Sequence, residues 1–390
     1  MSKLEELIQQ YCPDGVEYKR LGDICKLARG TRVVKKDLSI NGAYPVYQNS
    51  LKPLGYYDQF NRAEETTFII CAGAAGDIGY SKVKFWSADD CFSVICPDTI
   101  SNRYVFYCLL SQQNRIYSQV RKASIPRLSH SAVEALYIPV PPLPVQEEIV
   151  RILDNFAELQ AELQAELQKR LQQYNYYRDK LLSFNELNRG GQNVSVEWKK
   201  LGEICLKVCS GGTPSRGNSG YFTGDIPWLR TQEVDWKDIY DTEIKITEDA
   251  VKNSSAKLIP ENCVIIAMYG ATAGKVGINK IPLTTNQACC NLQINPQKAL
   301  YKYVYYWVCN EYEHLKSLGQ GSQNNINAQI IKEYPIPIPP LAEQQRIVDI
   351  LDRFSTLTTD ITAGLPAEIE ARRKQYEYYR DQLLTFKQKA

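Results

Sequence analysis

A few short stretches of this chain contain residues that could do chemistry. Asp14, Glu17 and Lys19 are the residue types of a magnesium-dependent nuclease, in which carboxylates hold the metal and a lysine assists the attacking water. Their spacing is too tight to span two strands, and the related pair Glu197 and Lys199 lacks an aspartate partner. A nuclease site is therefore an alternative that the spacing does not favour.

Motifs for binding nucleotides or for flipping a base are also missing. Residues 270–275 resemble a phosphate-binding loop, but they have three intervening residues instead of four. Val276 stands where such a loop carries the Ser or Thr that binds magnesium. Neither an Asn-Pro-Pro-aromatic tetrad nor a GxGxxG loop occurs in the sequence. We therefore predict no catalytic residues, and any methylation or cleavage of DNA would be performed by another polypeptide.

The twelve cysteines do not have the spacing of a metal site. Cys91 and Cys96 lie close together, as do Cys205 and Cys209, but neither pair is a CxxC motif, and the chain has only two histidines. We see no signal peptide and no run of eighteen apolar residues. We expect a cytoplasmic protein with reduced, mostly buried thiols, no bound metal and no contact with a membrane.

Basic and amide side chains are the candidates for binding DNA. Residues 19–36 include seven basic residues and only one acid, and a second basic cluster lies between positions 115 and 127. Lys and Arg contact phosphates, whereas Arg, Gln and Asn can also pair with base edges in the major groove. The predicted DNA-binding residues of the first half are Arg29, Arg32, Lys35, Lys36, Gln48, Asn49, Arg121, Lys122 and Arg127. Those of the second half are Thr213, Arg216, Arg230, Tyr269, Thr272, Lys275, Gln320, Ser322, Gln323 and Asn325. The alternative is that these side chains are solvated loop residues without a ligand.

The scaffold that must position these residues is written twice in the sequence. Residues 16–25 match 196–205, residues 138–156 match 336–354, and residues 174–184 match 376–386. Between these blocks the two halves barely align. A duplicated frame with two divergent inserts indicates one scaffold that presents two different binding surfaces.

A long helical pattern follows each proline-rich block. After Pro142 and after Pro340, apolar residues recur every three or four positions for about 40 residues, which predicts helices of about 60 Å. Stripes of this length need a partner, so we expect the two helices to pair antiparallel as a coiled coil. Ordinary domain core is the alternative, but globular helices are much shorter. Gly364 and Pro366 predict a break in the second helix.

These observations together predict an α/β (α+β) protein. Two globular domains in a pseudo-two-fold tandem repeat are separated by two long antiparallel coiled-coil helices. The predicted boundaries are 1–143 for the first domain, 144–186 for the first helix, 187–340 for the second domain and 341–390 for the second helix.

Two blocks that occur twice carry a family resemblance. Pro-Leu-Pro-Val-Gln-Glu-Glu-Ile-Val-Arg-Ile-Leu-Asp-Asn-Phe at 142–156 and Tyr-Tyr-Arg-Asp-Lys-Leu-Leu-Ser-Phe at 176–184 closely resemble conserved regions of type I restriction-modification specificity subunits, as does Gln-Gly-Ser-Gln at 320–323. The resemblance implies a non-catalytic chain with two target-recognition domains, each reading half of a bipartite site in double-stranded DNA. The helices would act as the spacer and dock two modification subunits. The implied partner-binding residues are Tyr177, Arg178, Asp179, Tyr379, Arg380 and Asp381.

The resemblance also assigns the chemistry to partner subunits. S-adenosylmethionine would be bound by the modification subunits, which methylate adenine, and ATP and Mg²⁺ would serve restriction subunits that translocate and cut DNA. The Ala-Glu-Leu-Gln units that begin at Ala157, Ala161 and Ala165 resemble four-residue repeats that set the spacer length in one branch of the family. A protein-interaction scaffold is the alternative of a different class, and it would not need the basic clusters.

Overall fold

The computed structural model describes residues 2–39, 41–184, 196–319, 325–359 and 364–389. The chain divides into two compact units. Unit 1 comprises Met1–Ala165 with Ala367–Ala390, and unit 2 comprises Glu166–Pro366. Unit 1 is thus built from both ends of the sequence, and the boundary between the units falls within the longest helix. The sequence analysis instead placed the long helices outside the globular domains. Those domain limits stay a prediction.

The elements of the first half of the chain alternate short strands with short helices before one long helix. They are α1 (Lys3–Tyr11), β1 (Tyr18–Arg20), α2 (Leu21–Ile24), β2 (Lys26–Arg29), β3 (Tyr44–Tyr47), β4 (Gly55–Tyr57), β5 (Thr66–Ile70), β6 (Ile78–Ser81), β7 (Trp86–Ser87), β8 (Cys91–Ile95), α3 (Asn102–Ser111), α4 (Gln113–Ser118), α5 (His130–Glu134), β9 (Tyr137–Pro139) and α6 (Leu143–Leu182).

The described second half follows a similar order, without α-helical counterparts of α1 and α2 and with an additional strand, β13, and an additional helix, α7. Its elements are β10 (Glu197–Lys200), β11 (Cys205–Ser210), β12 (Ile226–Leu229), β13 (Asp238–Ile239), β14 (Lys245–Ile246), α7 (Glu248–Lys252), β15 (Val264–Ala267), β16 (Val276–Asn279), β17 (Thr284–Thr285), β18 (Cys289–Ile294), α8 (Tyr301–Asn310), α9 (Tyr312–Ser317), α10 (Ala328–Glu333), β19 (Pro335–Ile338), α11 (Leu341–Thr359) and α12 (Leu365–Leu383).

The two units share one sheet plan. In unit 1 the sheets have the orders β2-β8-β5-β6, β4-β3-β7 and β1-β9. Unit 2 repeats them as β11-β18-β15-β16-β13, β14-β12-β17 and β10-β19. Most pairs are antiparallel, but β3 pairs in parallel with β7 in unit 1, and the equivalent strands β12 and β17 pair in parallel in unit 2, where β13 and β16 are also parallel. The duplication seen in the sequence blocks therefore extends through the stretches that barely align.

Each unit has a core in which tyrosines bury their rings and keep their hydroxyls bonded. Tyr104 on α3 is 1% exposed and donates to the carbonyl oxygen of Pro139 over 3.2 Å. Its counterpart Tyr303 on α8 is fully buried and donates to the carbonyl oxygen of Pro337 over 2.7 Å. These bonds avoid the cost of an unsatisfied buried hydroxyl, and they tie the helix to the proline-rich strand.

A buried glutamine joins each globular part to the helix that follows it. Gln146, in the first turns of α6, accepts from the N–H of Ser101 (2.9 Å) and donates to the carbonyl oxygen of Pro141 (2.7 Å). Gln344 of α11 repeats both bonds, accepting from the N–H of Leu300 (2.9 Å) and donating to Pro339 (2.8 Å). Because one side chain satisfies groups on two segments, it fixes the angle at which the helix leaves.

The long helices pair within each unit. In unit 1 the ring of Phe156 stacks on that of Tyr379 at 5.6 Å, which packs α6 against α12. The C-terminal end of α12 leads to Lys387, whose carbonyl oxygen accepts from the N–H of Val16 (2.8 Å), and the neighbouring Glu17 binds the backbone of Val140 just before α6. The end of α12 therefore lies beside the start of α6, so this pair is antiparallel.

Unit 2 repeats the arrangement with α6 and α11. Tyr177 stacks on Phe354 at 5.5 Å, and Leu182 at the end of α6 lies in the same core as Ile347 near the start of α11. This pair is likewise antiparallel, which confirms the predicted coiled-coil pairing. The predicted break is confirmed as well, because the second stripe is divided between α11 and α12, with Pro366 in the first turn of α12.

Candidate nucleic-acid interface

The first predicted basic loop of unit 1 follows β2 and is held at its base by glycine and tryptophan. A Cβ at Gly30 would lie 1.9 Å from the carbonyl oxygen of Ala88, so only glycine permits this approach. The indole N–H of Trp86 donates to the carbonyl oxygen of Thr31 (2.8 Å). The side chains that this loop carries into solvent are Arg29, Arg32, Lys35 and Lys36, all of them exposed.

The second basic loop, residues 121–127, docks beside the first. Arg121 and Arg127 form an isolated antiparallel bridge, and Arg127 also bridges to Ala72, two residues after β5. Arg29 and Arg127 thereby line one cavity of about 410 Å³, together with His130. Lys122 is exposed in the same loop. The structure thus brings together cations that are almost 100 residues apart in sequence.

Gln48 and Asn49 follow β3 and join the same surface. Gln48 donates to the carboxylate of Asp90 over 3.4 Å, and the carbonyl oxygen of Asn49 accepts from the N–H of Ala74 (3.0 Å). Arg29 binds the backbone of Asp89 through its Nε (3.1 Å). The connections after β2, after β3, between β5 and β6, between β7 and β8, and before α5 therefore meet at one edge of unit 1.

Sequence reasoning missed three polar residues of this surface. Arg62 donates to the carbonyl oxygen of Arg29 (2.9 Å), and burial lowers the pKa of its guanidinium. Asp89 and Asp90 place carboxylates among the predicted side chains, and Asp89 Oδ1 is buried without a hydrogen-bond partner among the described residues. Carboxylates accept from the amino groups of cytosine and adenine. The adjacent acids in the short turn between two buried strands were the available signal.

In unit 2 the loop after β11 is also anchored by glycines. A Cβ at Gly211 would lie 2.0 Å from the carbonyl oxygen of Thr285, and the indole N–H of Trp228 donates to the carbonyl oxygen of Gly212 (2.9 Å). Thr213 Oγ1 donates to Oε1 of Gln287. Arg216 lies exposed further along the loop. The loop after β11 thus meets the connection between β17 and β18, as its counterpart does in unit 1.

The remaining predicted residues of unit 2 gather around the turn between β15 and β16. Tyr269 is 42% exposed, and Thr272 lies half-buried in the same turn. Asn325 accepts from the N–H of Gly270 over 3.3 Å. The turn Gly270–Thr272 contacts the turn Thr231–Glu233, which brings it beside Arg230. Gln320, Ser322 and Gln323 lie outside the described residues.

The two candidate surfaces differ in how their cations are engaged. In unit 2, Lys275 pairs with Asp235 at 2.6 Å, and Arg230 pairs with Glu233 and Glu243. Within the described part of unit 1, no ion pair involves the seven predicted cations, which are Arg29, Arg32, Lys35, Lys36, Arg121, Lys122 and Arg127. The surface of unit 1 therefore has more free positive charge for phosphates, whereas that of unit 2 is richer in neutral donors and acceptors.

The acids, the lysine and the thiols that the sequence analysis considered have defined surroundings in the structure. Lys19 pairs with Glu17 at 2.8 Å, and within the described ranges no group of three His, Cys, Asp or Glu residues could hold a metal ion. Burial raises the pKa of the Cys71 thiol to about 11 and that of Cys290 to about 12. These thiols are therefore protonated at neutral pH. None of the described helices is long and apolar enough to cross a membrane.

The predicted partner-binding residues lie on the helical pairs. Tyr177 and Tyr379 are partly covered by the stacking described above. The cations next to them pair with the adjacent acids, Arg178 with Asp179 at 2.7 Å and Arg380 with Asp381 at 2.8 Å.

The neighbouring tyrosines, which the sequence analysis did not select, are more exposed. Tyr176 is 61% exposed and Tyr378 is 62% exposed. The 3.6-residue period indicates this difference, because Tyr174 and Tyr177 lie on the apolar stripe of α6 and Tyr176 does not.

Comparison with known proteins places these features in a family. The model of the type I restriction modification DNA specificity domain matches residues 13–173 and 193–371. The chain is 36% identical to the specificity subunit of an Escherichia coli type I restriction enzyme, with 99% of this chain and 97% of that protein covered. The S subunit of a type I system from M. genitalium has a crystal structure that matches at a TM-score of 0.66 and 17% identity, covering 95% and 96% of the two chains.

A second solved structure concerns complex assembly and conformational transition of the type I restriction-modification system. It matches at a TM-score of 0.59 and 17% identity, with 96% of this chain and 98% of that chain covered. At such identities the structural matches establish the fold alone, whereas the two family-model matches cover most of the sequence. The chain belongs to the family of type I restriction-modification DNA specificity subunits.

Proposed function

We propose that each unit reads one half of a bipartite DNA site and that the chain directs adenine methylation and restriction by partner subunits. The observation that carries this proposal is the repeated surface. In both units the divergent loops follow equivalent strands and meet at the same edge of a shared sheet plan. A common frame with different side chains at that edge is what two readers of different half-sites require.

The chemistry of the two surfaces supports a division between positioning and reading. In unit 1, Arg29 and Arg127 would contact phosphates, while Gln48 and Asn49 would face base edges. In unit 2, Arg216 is exposed on the loop after β11, and Tyr269 and Asn325 offer donors and acceptors at the turn between β15 and β16. Phosphate contacts would supply affinity that depends on salt, and base contacts would supply the sequence preference.

The helical pairs would act as the spacer and the docking region. Helix α6 is continuous over 40 residues, which corresponds to about 60 Å. Tyr176 in unit 2 and Tyr378 in unit 1 are equivalent exposed aromatic residues, and they fit a complex with two copies of one modification subunit. We further propose that restriction subunits join this assembly in the cytoplasm.

The catalytic groups would then be supplied entirely by partners. S-adenosylmethionine would bind to the modification subunits, and ATP and Mg²⁺ would bind to the restriction subunits. For this chain we propose no catalytic step, and its contribution would be the choice of site.

Mapping methylated adenines tests the proposal. The chain would be expressed with the modification subunit from the same genome in a methylation-free host, and N6-methyladenine would be mapped across the host DNA. We expect methylation at one asymmetric motif with two specified parts and an unspecified gap. Expression of the modification subunit alone is the control and should give no methylation. Methylation at a single uninterrupted motif would contradict two separate readers.

A further inference from the structure

The two units differ at one edge of their main sheets. In unit 2 the strand β13 pairs in parallel with β16, so that β16 has a neighbour on both sides. In unit 1 the equivalent strand β6 is the last strand of its sheet among the described residues. The difference arises in a connection, because seven residues (48–54) join β3 to β4, whereas fifteen (230–244) join β12 to β14 and contain β13.

The β13 segment shows how such an edge is covered. The N–H of Trp236 donates to the carbonyl oxygen of Val276 (3.0 Å), the N–H of Ile278 to Lys237 (3.3 Å), and the N–H of Lys280 to Ile239 (2.8 Å). The strand registers make Ile78 and Tyr80 the counterparts of Val276 and Ile278, and two residues further along Lys82 is the counterpart of Lys280.

The matching backbone groups of unit 1 face outward. Phe68 and Gly79 are opposite each other in the register of β5 and β6, and Ile70 donates to Asp77. Because paired and unpaired positions alternate in an antiparallel ladder, the carbonyl of Ile78 and the N–H of Tyr80 point away from β5. Unit 1 thus presents an open strand edge, which is a template for another strand.

A cavity of about 420 Å³ adjoins this edge in unit 1. Tyr80, Phe106, Leu110 and Tyr376 contribute apolar and aromatic walls to it, and Ala157 of α6 lines it as well. In unit 2, Trp236 lies in the equivalent region, where its ring meets Tyr312 edge-on at 4.8 Å and its carbonyl oxygen accepts from Tyr305 (2.9 Å). Tyr305 is the counterpart of Phe106.

The charges beside this edge indicate which peptide would fit it. In unit 2, Asp238 pairs with Lys280 at 3.7 Å, and the counterpart Lys82 of unit 1 is exposed. Asp235 pairs with Lys275, whose counterpart is the acid Asp77. A peptide that binds to unit 1 in the same way should therefore have an aromatic residue at the position of Trp236 and an acid at the position of Asp238. At the position of Asp235 it should have a basic residue, which would pair with Asp77.

We infer that the β6 edge and its cavity in unit 1 bind an extended segment of a partner polypeptide, which adds a parallel strand and inserts an aromatic side chain. This goes beyond DNA reading, since none of the residues involved belongs to the candidate DNA surface. Main-chain bonds would provide affinity, while the cavity and Lys82 would provide selectivity.

A peptide binding experiment tests the inference on the full chain. The probe is a labelled peptide of residues 233–240 that carries Asp235→Lys, and fluorescence anisotropy reports its binding. We expect saturable binding of one peptide per chain. Trp236→Ala in the peptide and Leu110→Trp in the chain should each weaken binding at least about tenfold, because one removes the anchor and the other fills the cavity. Thermal unfolding confirms that the Leu110→Trp chain is folded.

A charge exchange locates the bound peptide. Lys82→Glu should weaken binding about fivefold, and Asp238→Lys in the peptide should restore it, as expected for one surface ion pair. Lys280→Glu in unit 2 is the matched control and should leave binding unchanged. The inference is wrong if no saturable binding occurs, if Leu110→Trp binds equally well, or if Lys280→Glu rather than Lys82→Glu weakens binding.

Discussion

At the scale of single residues, the candidate DNA surface is defined by which cations are free. Arg29 and Arg127 line one cavity and form no ion pair within the described part of unit 1, whereas Arg230 and Lys275 in unit 2 are held by acids. Composition could not distinguish these cases, because each ion pair joins residues that are distant or separated by a turn. The sequence analysis selected residue types that can bind DNA, but only the fold shows which of them are held in ion pairs.

Removal of one free cation should change the salt dependence of DNA binding. Arg127→Ala, measured by fluorescence anisotropy on target DNA in the assembled complex, should weaken binding severalfold on all sequences. The slope of log affinity against log salt should fall by about 1, as expected for one lost phosphate contact. Lys169→Ala on α6 removes an exposed lysine away from the loops and should change neither value. A change of target preference without a change of slope would instead assign Arg127 to base reading.

A buried acid makes the stability of unit 1 depend on pH. Glu148 is 4% exposed, and hydrogen bonds from Arg151 and Lys3 lower the pKa of its carboxyl to about 2. Because the folded pKa lies below the unfolded value of about 4.3, its stabilising contribution is complete above that value and is lost as pH falls toward 2.

Glu148→Gln should therefore lower the melting temperature at pH 7, and the difference from the natural chain should shrink between pH 4 and pH 2. Scanning calorimetry at several pH values measures it. Arg346→Gln on α11 provides a comparison at an exposed ion pair, where we expect a smaller change. A difference that stays constant across this pH range would exclude the proposed linkage.

At the scale of elements, the long helices were predictable and the strands were only partly so. A 3.6-residue stripe is a local pattern, so α6, the antiparallel pairing and the break before Pro366 followed from the sequence. The pairing of β13 with β16 could not be predicted, because strands of two residues carry no period and their partners lie about 40 residues away. Arg103 pairs with Asp154 of α6, and its counterpart Lys302 pairs with Asp352 of α11. Both cations stand directly before a Tyr-Val pair in the sequence, a repeat that the sequence analysis missed.

Among the residues that join one element to another, the buried glutamine Gln344 should lower the free energy of unfolding most clearly when it is replaced. Gln344→Leu would leave the N–H of Leu300 and the carbonyl oxygen of Pro339 without this partner, and we expect a loss of about 2–4 kcal/mol in the free energy of unfolding. Gln345→Leu changes the exposed neighbour in the same helix and should cost less than about 0.5 kcal/mol. Urea unfolding compares the two, and equal costs would refute the role of Gln344 in docking the helix.

Helix length gives a second prediction at this scale. Insertion of one more Ala-Glu-Leu-Gln unit after residue 168 should lengthen α6 by about 6 Å and rotate the C-terminal part of the helix by about 40°. If the helix sets the spacing, the unspecified gap of the methylated motif should grow while both specified parts stay the same. Replacement of one existing unit by Ala-Glu-Leu-Glu keeps the length and serves as the control. An unchanged gap in an active complex would argue against α6 as the spacer.

At the scale of the whole molecule, the chain is one frame used twice. The sheet plans agree except for the added strand β13, although the intervening sequences barely align, and each unit combines its globular part with one pair of long helices. Duplication explains why two equivalent exposed tyrosines exist, and divergence explains why the two loop surfaces differ in charge. We therefore expect each surface to choose its own half-site independently of the other.

Exchange of one surface tests this independence. Residues 206–325 would be replaced by the matching stretch of a relative that recognises a different site, and N6-methyladenine would be mapped in cells that express the hybrid with its modification subunit. We predict a motif in which one specified part is new, while the other part and the gap are retained. Alteration of both parts at once would contradict independent reading by the two units.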